Sequence, residues 1–171
     1  MGLNGIDHLS EMNMNELIVK PVLKPHDSKL DVAYELFEEF ELSFNGRTLY
    51  VPKFFEFDGA TIPSAAWQII GTPFDPQFMT AAVALDWLYY THCFSDGPVD
   101  REVCDQLLHD VLRQSGVNKT RAWLIYEAVR DFGKSHWDNR DDDRKYLNAL
   151  RDRLLTAGID IGKYRFPALV A

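Results

Sequence analysis

Phe40-Glu41-Leu42-Ser43-Phe44-Asn45-Gly46-Arg47-Thr48-Leu49-Tyr50-Val51 is the stretch on which the fold class turns. Phe40, Leu42 and Phe44 alternate with Glu39, Glu41 and Ser43, and Leu49 and Val51 alternate again beyond the turn. A period of two puts each apolar set on one face of a strand. Asn45-Gly46 between two such runs predicts a two-residue hairpin, because both residues tolerate the positive φ that a type I′ turn demands. Upstream, Leu17-Ile18-Val19 and Val22-Leu23 read as a short strand broken by Pro21 and Pro25. Downstream, Phe54, Phe55 and Phe57 extend the same small sheet.

Beyond Asp58 the period changes to that of a helix. Pro63 opens one helix, through residues 65–70, and Gly71 closes it. Asp75 caps a long second helix with Pro76 at its first position, running to His92. A third opens at Pro98-Val99-Asp100, carries Val103, Leu107, Leu108, Val111 and Leu112 on one face, and stops at Gly116. Asn118 caps a fourth, with Ala122, Ile125, Tyr126, Val129 and Phe132 inward and Gly133 at its end. The last covers 142–156 and buries Tyr146, Leu147, Leu150, Leu154 and Leu155, with Gly158 behind it. Strands precede helices without βαβ alternation. The class is therefore α+β: a small antiparallel β-sheet in the N-terminal third packed on a bundle of about five helices. Residues 16–158 read as a single domain, 1–15 as a flexible N-terminal arm, and 159–171 as an apolar C-terminal tail suited to lying across the body or gripping a neighbour, a second copy of the chain included.

At 171 residues the chain can bury roughly 70% of the surface it exposes when unfolded. Its net charge of −8, with no basic stripe, excludes a phosphate-backbone binder, so no nucleic-acid partner is expected. The acidic stretches at 35–41 and 138–143 read as solvated surface. No apolar run reaches the ~20 residues a membrane span needs. Residues 1–16 lack the apolar core of a signal peptide, so synthesis in the cytoplasm is expected. Cys93 and Cys104 fit neither a redox nor a zinc spacing and read as two reduced, buried thiols. No cofactor is implied.

Asp86 is the residue that costs most to fold, a carboxylate inside Met79-Thr80-Ala81-Ala82-Val83-Ala84-Leu85-Asp86-Trp87-Leu88-Tyr89-Tyr90. A helix carrying that run buries most of its surface, so Asp86 must be paired, hydrogen-bonded or protonated. Asp86, Tyr89, Tyr90 and Cys93 recur at i, i+3, i+4 and i+7 and share a face. They form either an acid–phenol network at a pocket wall or a core in which Asp86 fixes geometry by bonding a Tyr hydroxyl or backbone amides. In Phe57-Asp58-Gly59-Ala60-Thr61-Ile62-Pro63, Gly59 permits a tight turn and Pro63 sets the helix start. Asp58 there either holds a cation or orients a neighbour, or accepts backbone N–H bonds as a turn residue. Trp67 reads as a core anchor.

Asp105 and His109 lie four apart on the edge of their helix's apolar stripe. They are either a metal-binding or catalytic pair facing Asp86 across packed helices, or a surface ion pair. Arg130 either neutralises a buried Asp or, off the apolar face, is solvated. The catalytic candidates are thus Asp86, Asp105, His92 and His109, and the candidate metal ligands Asp58, Asp86 and Asp105. There is no Gly-rich phosphate loop, Gly-x-Ser-x-Gly elbow or His-Glu-x-x-His motif, which removes most nucleotide, esterase and zinc-protease readings.

Phe57-Asp58-Gly59-Ala60-Thr61-Ile62-Pro63 with Trp67, Leu85-Asp86-Trp87-Leu88-Tyr89, Arg101 and Asp105, Gly116-Val117, and Tyr126-Glu127-Ala128-Val129-Arg130 with Gly133 and Trp137 together resemble the DUF1353 family. The resemblance covers residues 48–137 and implies an origin in tailed bacteriophages or prophages. Members commonly read His-Asp-x-Leu-Tyr where this chain has Leu85-Asp86-Trp87-Leu88-Tyr89. That pattern, followed by a helix bearing an Asp, is in turn similar to the secreted and viral phospholipases A2, where the His activates water with an Asp partner. Here Leu85 stands at the His position, and His92, two turns on and about 10 Å away by helix rise, does not substitute for it.

Three functions follow as expectations. The first is a non-enzymatic phage structural or accessory protein, virion- or tail-associated, acting through contacts with other phage proteins. The second is a small hydrolase of the phospholipase A2 kind, degenerate because Leu85 replaces the His. The third is an inhibitor of a host protein. The first two imply opposite fates for Asp58, Asp86 and Asp105, which converge on an open cavity if the chain is an enzyme and are sealed by Trp67 and Trp87 if it is a scaffold.

Overall fold

Asn45 and Gly46 take φ of 49° and 76° in the computed structural model. The turn this creates pairs β4 (Phe40–Phe44) with β5 (Arg47–Val51), antiparallel, with Phe44 opposite Arg47. The structure describes residues 11–23, 32–58, 62–70 and 75–166. Gly59, Pro25, Gly71, residues 1–10 of the expected arm and residues 167–171 of the tail lie outside them.

Within the described part of the arm, β1 (Met12–Met14) adds to the free side of β4, and Met12 is buried. Three residues are too few to show an alternation in sequence; pairing with β4 is what orders them. A second antiparallel sheet has the order β2-β3-β6, from β2 (Val19–Leu23), β3 (Val32–Leu36) and β6 (Glu56–Phe57). β2 runs through Pro21 without a break, because it is an edge strand and an edge tolerates a residue that cannot donate. The expected single sheet is therefore two three-stranded ones, with a further small hairpin of β7 (Cys93–Phe94) and β8 (Gly97–Pro98).

β3 sits beside an acid-rich run that masks its alternation, and the expected solvated surface is wrong at Glu35. That side chain is 3% exposed, receives hydrogen bonds from Arg153 at 2.9 and 3.2 Å, and has Lys20 at 3.3 Å. Two cations thus offset its burial.

Six helices follow among the described residues: α1 (Ser64–Ile70), α2 (Pro76–Thr91), α3 (Arg101–Gln114), α4 (Lys119–Phe132), α5 (Lys134–Asp138) and α6 (Arg140–Thr156). Asp75 accepts a hydrogen bond from Gln77 N at 3.0 Å, and Asn118 one from Arg121 N at 2.9 Å, as their positions before the helices require. α2 is buried along nearly its whole length, packed against α3, α5 and α6 and against β5 and β6. His92 ends it in the left-handed conformation, φ 55°.

Two residues expected inside are outside. Phe132, the last residue of α4, is 61% exposed, and Leu155 is 53% exposed. Leu147, Leu150 and Leu154 already form the inward stripe of α6, and Leu155 lies about 100° round the axis from Leu154. Residues 159–166 lie across the body: the Phe166 ring meets Trp87 edge-on at 5.9 Å, Arg165 Nε donates to Ser95 O at 2.8 Å, and the buried Tyr164 bonds Glu39. Trp67 is half-buried against the core. Cys104 is buried and Cys93 half-buried, both as free thiols. No helix among the described residues is long and apolar enough to cross a membrane.

Candidate functional site

Three elements meet around a cavity of about 140 Å³ lined by Asp58, Asp86, Tyr89, Tyr90, His136, Asn139, Asp142 and Asp143. α2 supplies Asp86, Tyr89 and Tyr90, which the i, i+3, i+4 spacing puts on one face. Asp58 comes from the end of β6. The corner between α5 and α6 supplies the rest. Asp86 is 3% exposed and so sits at the deep wall rather than the mouth.

The cavity shapes the chemistry of its own walls. Burial raises the Tyr90 phenol above its ordinary range, and the charges of Asp86, Tyr146, Asp143 and Asp58 raise it further, so Tyr90 is a neutral hydrogen-bonding group. Burial also pushes the Asp143 carboxyl up to about 7, with the Asp142 charge adding to the shift and Arg140 opposing it. Arg140 Nη1 is 3.9 Å from Asp143 Oδ2, an oxygen that accepts no hydrogen bond among the described residues. A carboxyl poised near 7 can exchange a proton at neutral pH.

Asp105 does not join this cavity. It is fully buried on α3 and forms a separate centre with Tyr89, Arg130 and Arg101. Tyr89 Oη donates to its Oδ1 at 2.6 Å, Arg130 Nη1 donates to Oδ2 at 2.7 Å, and Arg101 Nη1 lies 3.6 Å from Oδ2. Burial raises the Asp105 carboxyl, and the hydrogen bonds from Tyr89 and Arg130 pull it back. The bond to Asp105 holds the Arg130 guanidinium above its ordinary value. Arg101 also donates to Val129 O and Arg130 O, tying α3 to the end of α4. Of the two roles expected for Arg130, neutralising a buried Asp is the observed one. A solvated place was suggested by its position off the apolar stripe, but the guanidinium reaches past the stripe to α3.

Gly133 makes this closeness possible. A Cβ there would lie 2.8 Å from Tyr89 Oη, 2.6 Å from Val129 O and 3.4 Å from Arg101 Nη1. Gly133→Ala is expected to lower stability by about 1–3 kcal/mol, because either Tyr89 or the α4–α5 corner must move. Urea unfolding followed by circular dichroism measures this, and an unchanged midpoint would mean that the corner yields freely.

Neither histidine singled out in the sequence faces Asp86 across the cavity. His92 stacks on Trp137 at 3.4 Å with an interplanar angle of 5°. Burial, aided by the Arg140 charge, lowers its pKa to about 4, so the ring is neutral at pH 7. His109 does not pair with Asp105, as the i, i+4 spacing suggested; its Nδ1 is 3.0 Å from Asp110 Oδ1 on the next residue. His136 is the imidazole in the cavity wall, and it carries no sequence signal because it sits on a different helix from every acid around it. Asp142 and Asp143 escape notice in the same way, inside a run that looks like solvated surface. Asp58 and Asp86 do share the cavity, but no group of three or more His, Cys, Asp or Glu side chains among the described residues is arranged to hold a metal ion.

The model of a family described as "Protein of unknown function (DUF1353)" matches residues 34–129. That stretch includes Asp58, Asp86 and Asp105 and stops before His136, Asn139, Asp142 and Asp143. Two curated proteins of Sinorhizobium fredii are similar. Uncharacterized protein y4iH is 32% identical over 76 residues, covering 44% of this chain and 30% of that protein. Uncharacterized protein y4jT is 31% identical over 101 residues, covering 58% of this chain and 29% of that protein. The aligned stretch is thus under a third of each relative's length. No solved structure matches the chain.

Proposed function

The chain belongs to the DUF1353 family, and from that premise we propose that it works without catalysis, as a structural or accessory protein of a phage or prophage that acts through contacts with other proteins. The observation that carries this reading is the fate of the helix pair that would hold a hydrolase site. Leu85, at the place where the resemblance expects a histidine, is 1% exposed in the core. Asp105, the acid on the following helix, is held by Tyr89, Arg101 and Arg130. An acid with those partners orients helices; it has no base to assist. Exposed Trp123, Leu124 and Phe132 on α4 and Leu23 at the sheet edge offer apolar area for partners.

A small hydrolase remains the second reading, favoured by the cavity that brings Asp86, Asp58, Asp143 and His136 together. Two measurements separate the two. Mass spectrometry of purified particles from a strain carrying the gene is expected to find the chain at a fixed copy number. Purified protein is expected to leave phospholipid and chromogenic ester substrates uncleaved. Turnover abolished by Asp86→Asn in a variant that still folds would overturn the scaffold reading. Absence from particles, combined with capture of one host protein, would favour inhibition of the host.

A further inference from the structure

We infer that the groove lined by the corner after β3 and by the C-terminal segment 159–164 is a docking site for an arginine side chain carried by a partner protein. The inference rests on the reading that the chain acts through protein contacts, and it names one such contact. The groove has a volume of about 640 Å³, within the roughly 300–1,000 Å³ span of binding pockets. Phe37, Glu38, Glu39 and Lys53 line it from the strand connections, and residues between 159 and 164 line it from the C-terminal segment.

Part of its charge is already engaged. Glu39 Oε1 accepts from Lys163 Nζ at 2.6 Å, and its Oε2 accepts from Tyr164 Oη. The Lys53 ammonium lies over the rings of Phe37 at 5.5 Å and Phe54 at 5.3 Å and reaches no carboxylate among the described residues. Glu38 and Asp160 are exposed and enter no ion pair among the described residues; Asp160 does no more than accept from Gly162 N at 2.9 Å. The uncommitted charge is therefore two carboxylates against one ammonium. Phe37, in the same groove, is 50% exposed.

The same chain shows twice what completes such a set. Arg153 lies over the Phe54 ring at 4.1 Å and forks onto Glu35 at 2.9 and 3.2 Å. Arg47 lies over the Phe94 ring at 4.6 Å and forks onto Asp96 with bonds of 2.8 and 3.0 Å. In both, one planar guanidinium covers an aromatic face and reaches a carboxylate, a geometry that a compact ammonium matches less well. The groove offers the ring and the carboxylates, and no arginine among the described residues lines it. The net charge of −8 also draws basic segments toward the chain.

Titrating the isotope-labelled full chain with the capped peptide acetyl-Ala-Arg-Ala-Arg-Ala-amide, followed by amide NMR, tests the site. Amides of residues 37–39, 53 and 159–164 are expected to shift together, while those of α3 stay still. Lysine in place of arginine in the peptide should weaken binding at least about threefold, and the neutral isostere citrulline should abolish the shifts. The double variant Glu38→Gln, Asp160→Asn should weaken binding at least about threefold. Phe37→Leu, which keeps apolar area and loses the ring, should weaken it about twofold or more. Asp141→Asn, an exposed acid outside the groove, should bind as the wild type does. Equal binding of the three peptides, shifts elsewhere only, or a double variant that binds normally would each overturn the proposal. Shifts of the same amides on concentrating the chain alone would give the groove to a second copy and overturn it too. In the particle measurement, absence of the wild-type chain would overturn the scaffold reading. With the wild type present, equal incorporation of the double variant would overturn only the groove.

Discussion

Asp105→Ala is expected to destabilise the folded chain by about 3–5 kcal/mol, the usual consequence of removing one partner from a buried charged network. The expectation rests on what the substitution strands. Asp105 is fully buried, and its two oxygens accept from Tyr89 at 2.6 Å and Arg130 at 2.7 Å, with Arg101 at 3.6 Å. Without the carboxylate, two guanidinium groups, 17% and 28% exposed, face each other across α3 and α4 with no anion between them. Tyr89 also loses the acceptor for its hydroxyl. Asp105→Asn keeps the shape and one acceptor and should cost less, which separates charge from volume. Urea unfolding of Asp105→Ala, Tyr89→Phe and the double variant forms a cycle whose coupling should reach about 1–3 kcal/mol. Purely additive effects would mean that Tyr89 and Asp105 are neighbours without being partners. Because Tyr89 also lines the cavity, the same cycle tests whether this buried centre sets the position of the cavity wall.

How far the sequence discloses this molecule depends on whether a feature is local. The Asn45-Gly46 hairpin, the caps at Asp75 and Asn118 and the α+β class are written in runs of neighbouring residues, and each is found where the pattern puts it. β1 and β3 are different: each becomes a strand through a partner distant in sequence, and nothing in three or five residues announces that. The site divides along the same line. Asp86, Tyr89 and Tyr90 share a helix face, so their meeting is legible from spacing. The cavity they line is completed by His136, Asn139, Asp142 and Asp143, brought in by the turn between α5 and α6, and no periodicity links two helices. Asp105 shows the opposite error. Its spacing from His109 suggested an ion pair on one helix, but the stronger partners were a phenol on α2 and a guanidinium on α4. Tertiary geometry overrode the local pairing because a buried carboxylate gains more from two hydrogen-bond donors and a second nearby guanidinium than from one half-exposed imidazole.

Trp87→Ala is the other large effect, expected at about 3–5 kcal/mol, because it empties the place where sheet, helices and tail meet. Trp87 is 2% exposed, next to Asp86 on α2. Its ring packs edge-on against Phe55 at 5.1 Å and against Phe166 at 5.9 Å. Phe55 in turn meets Tyr90 at 5.8 Å and Tyr146 at 6.1 Å, so the indole braces an aromatic group that reaches α6. Loss of two edge-on ring pairs adds about 0.5–1.5 kcal/mol each to the transfer and cavity terms, which places the estimate toward the top of its range. In a domain of this size that corresponds to a fall in Tm of about 10 °C, read by circular dichroism. Trp87→Phe, which restores one ring and most of the apolar area, should recover more than half of it. The substitution has a second, local signature. Phe166 is one of few apolar anchors of residues 159–166, so brief proteolysis under native conditions should trim the C-terminal end of Trp87→Ala faster than that of Trp87→Phe. If both variants melt alike and their tails resist equally, the tail is held by Tyr164, Lys163 and Arg165 alone, through Glu39 and Ser95, and Trp87 braces only the helices.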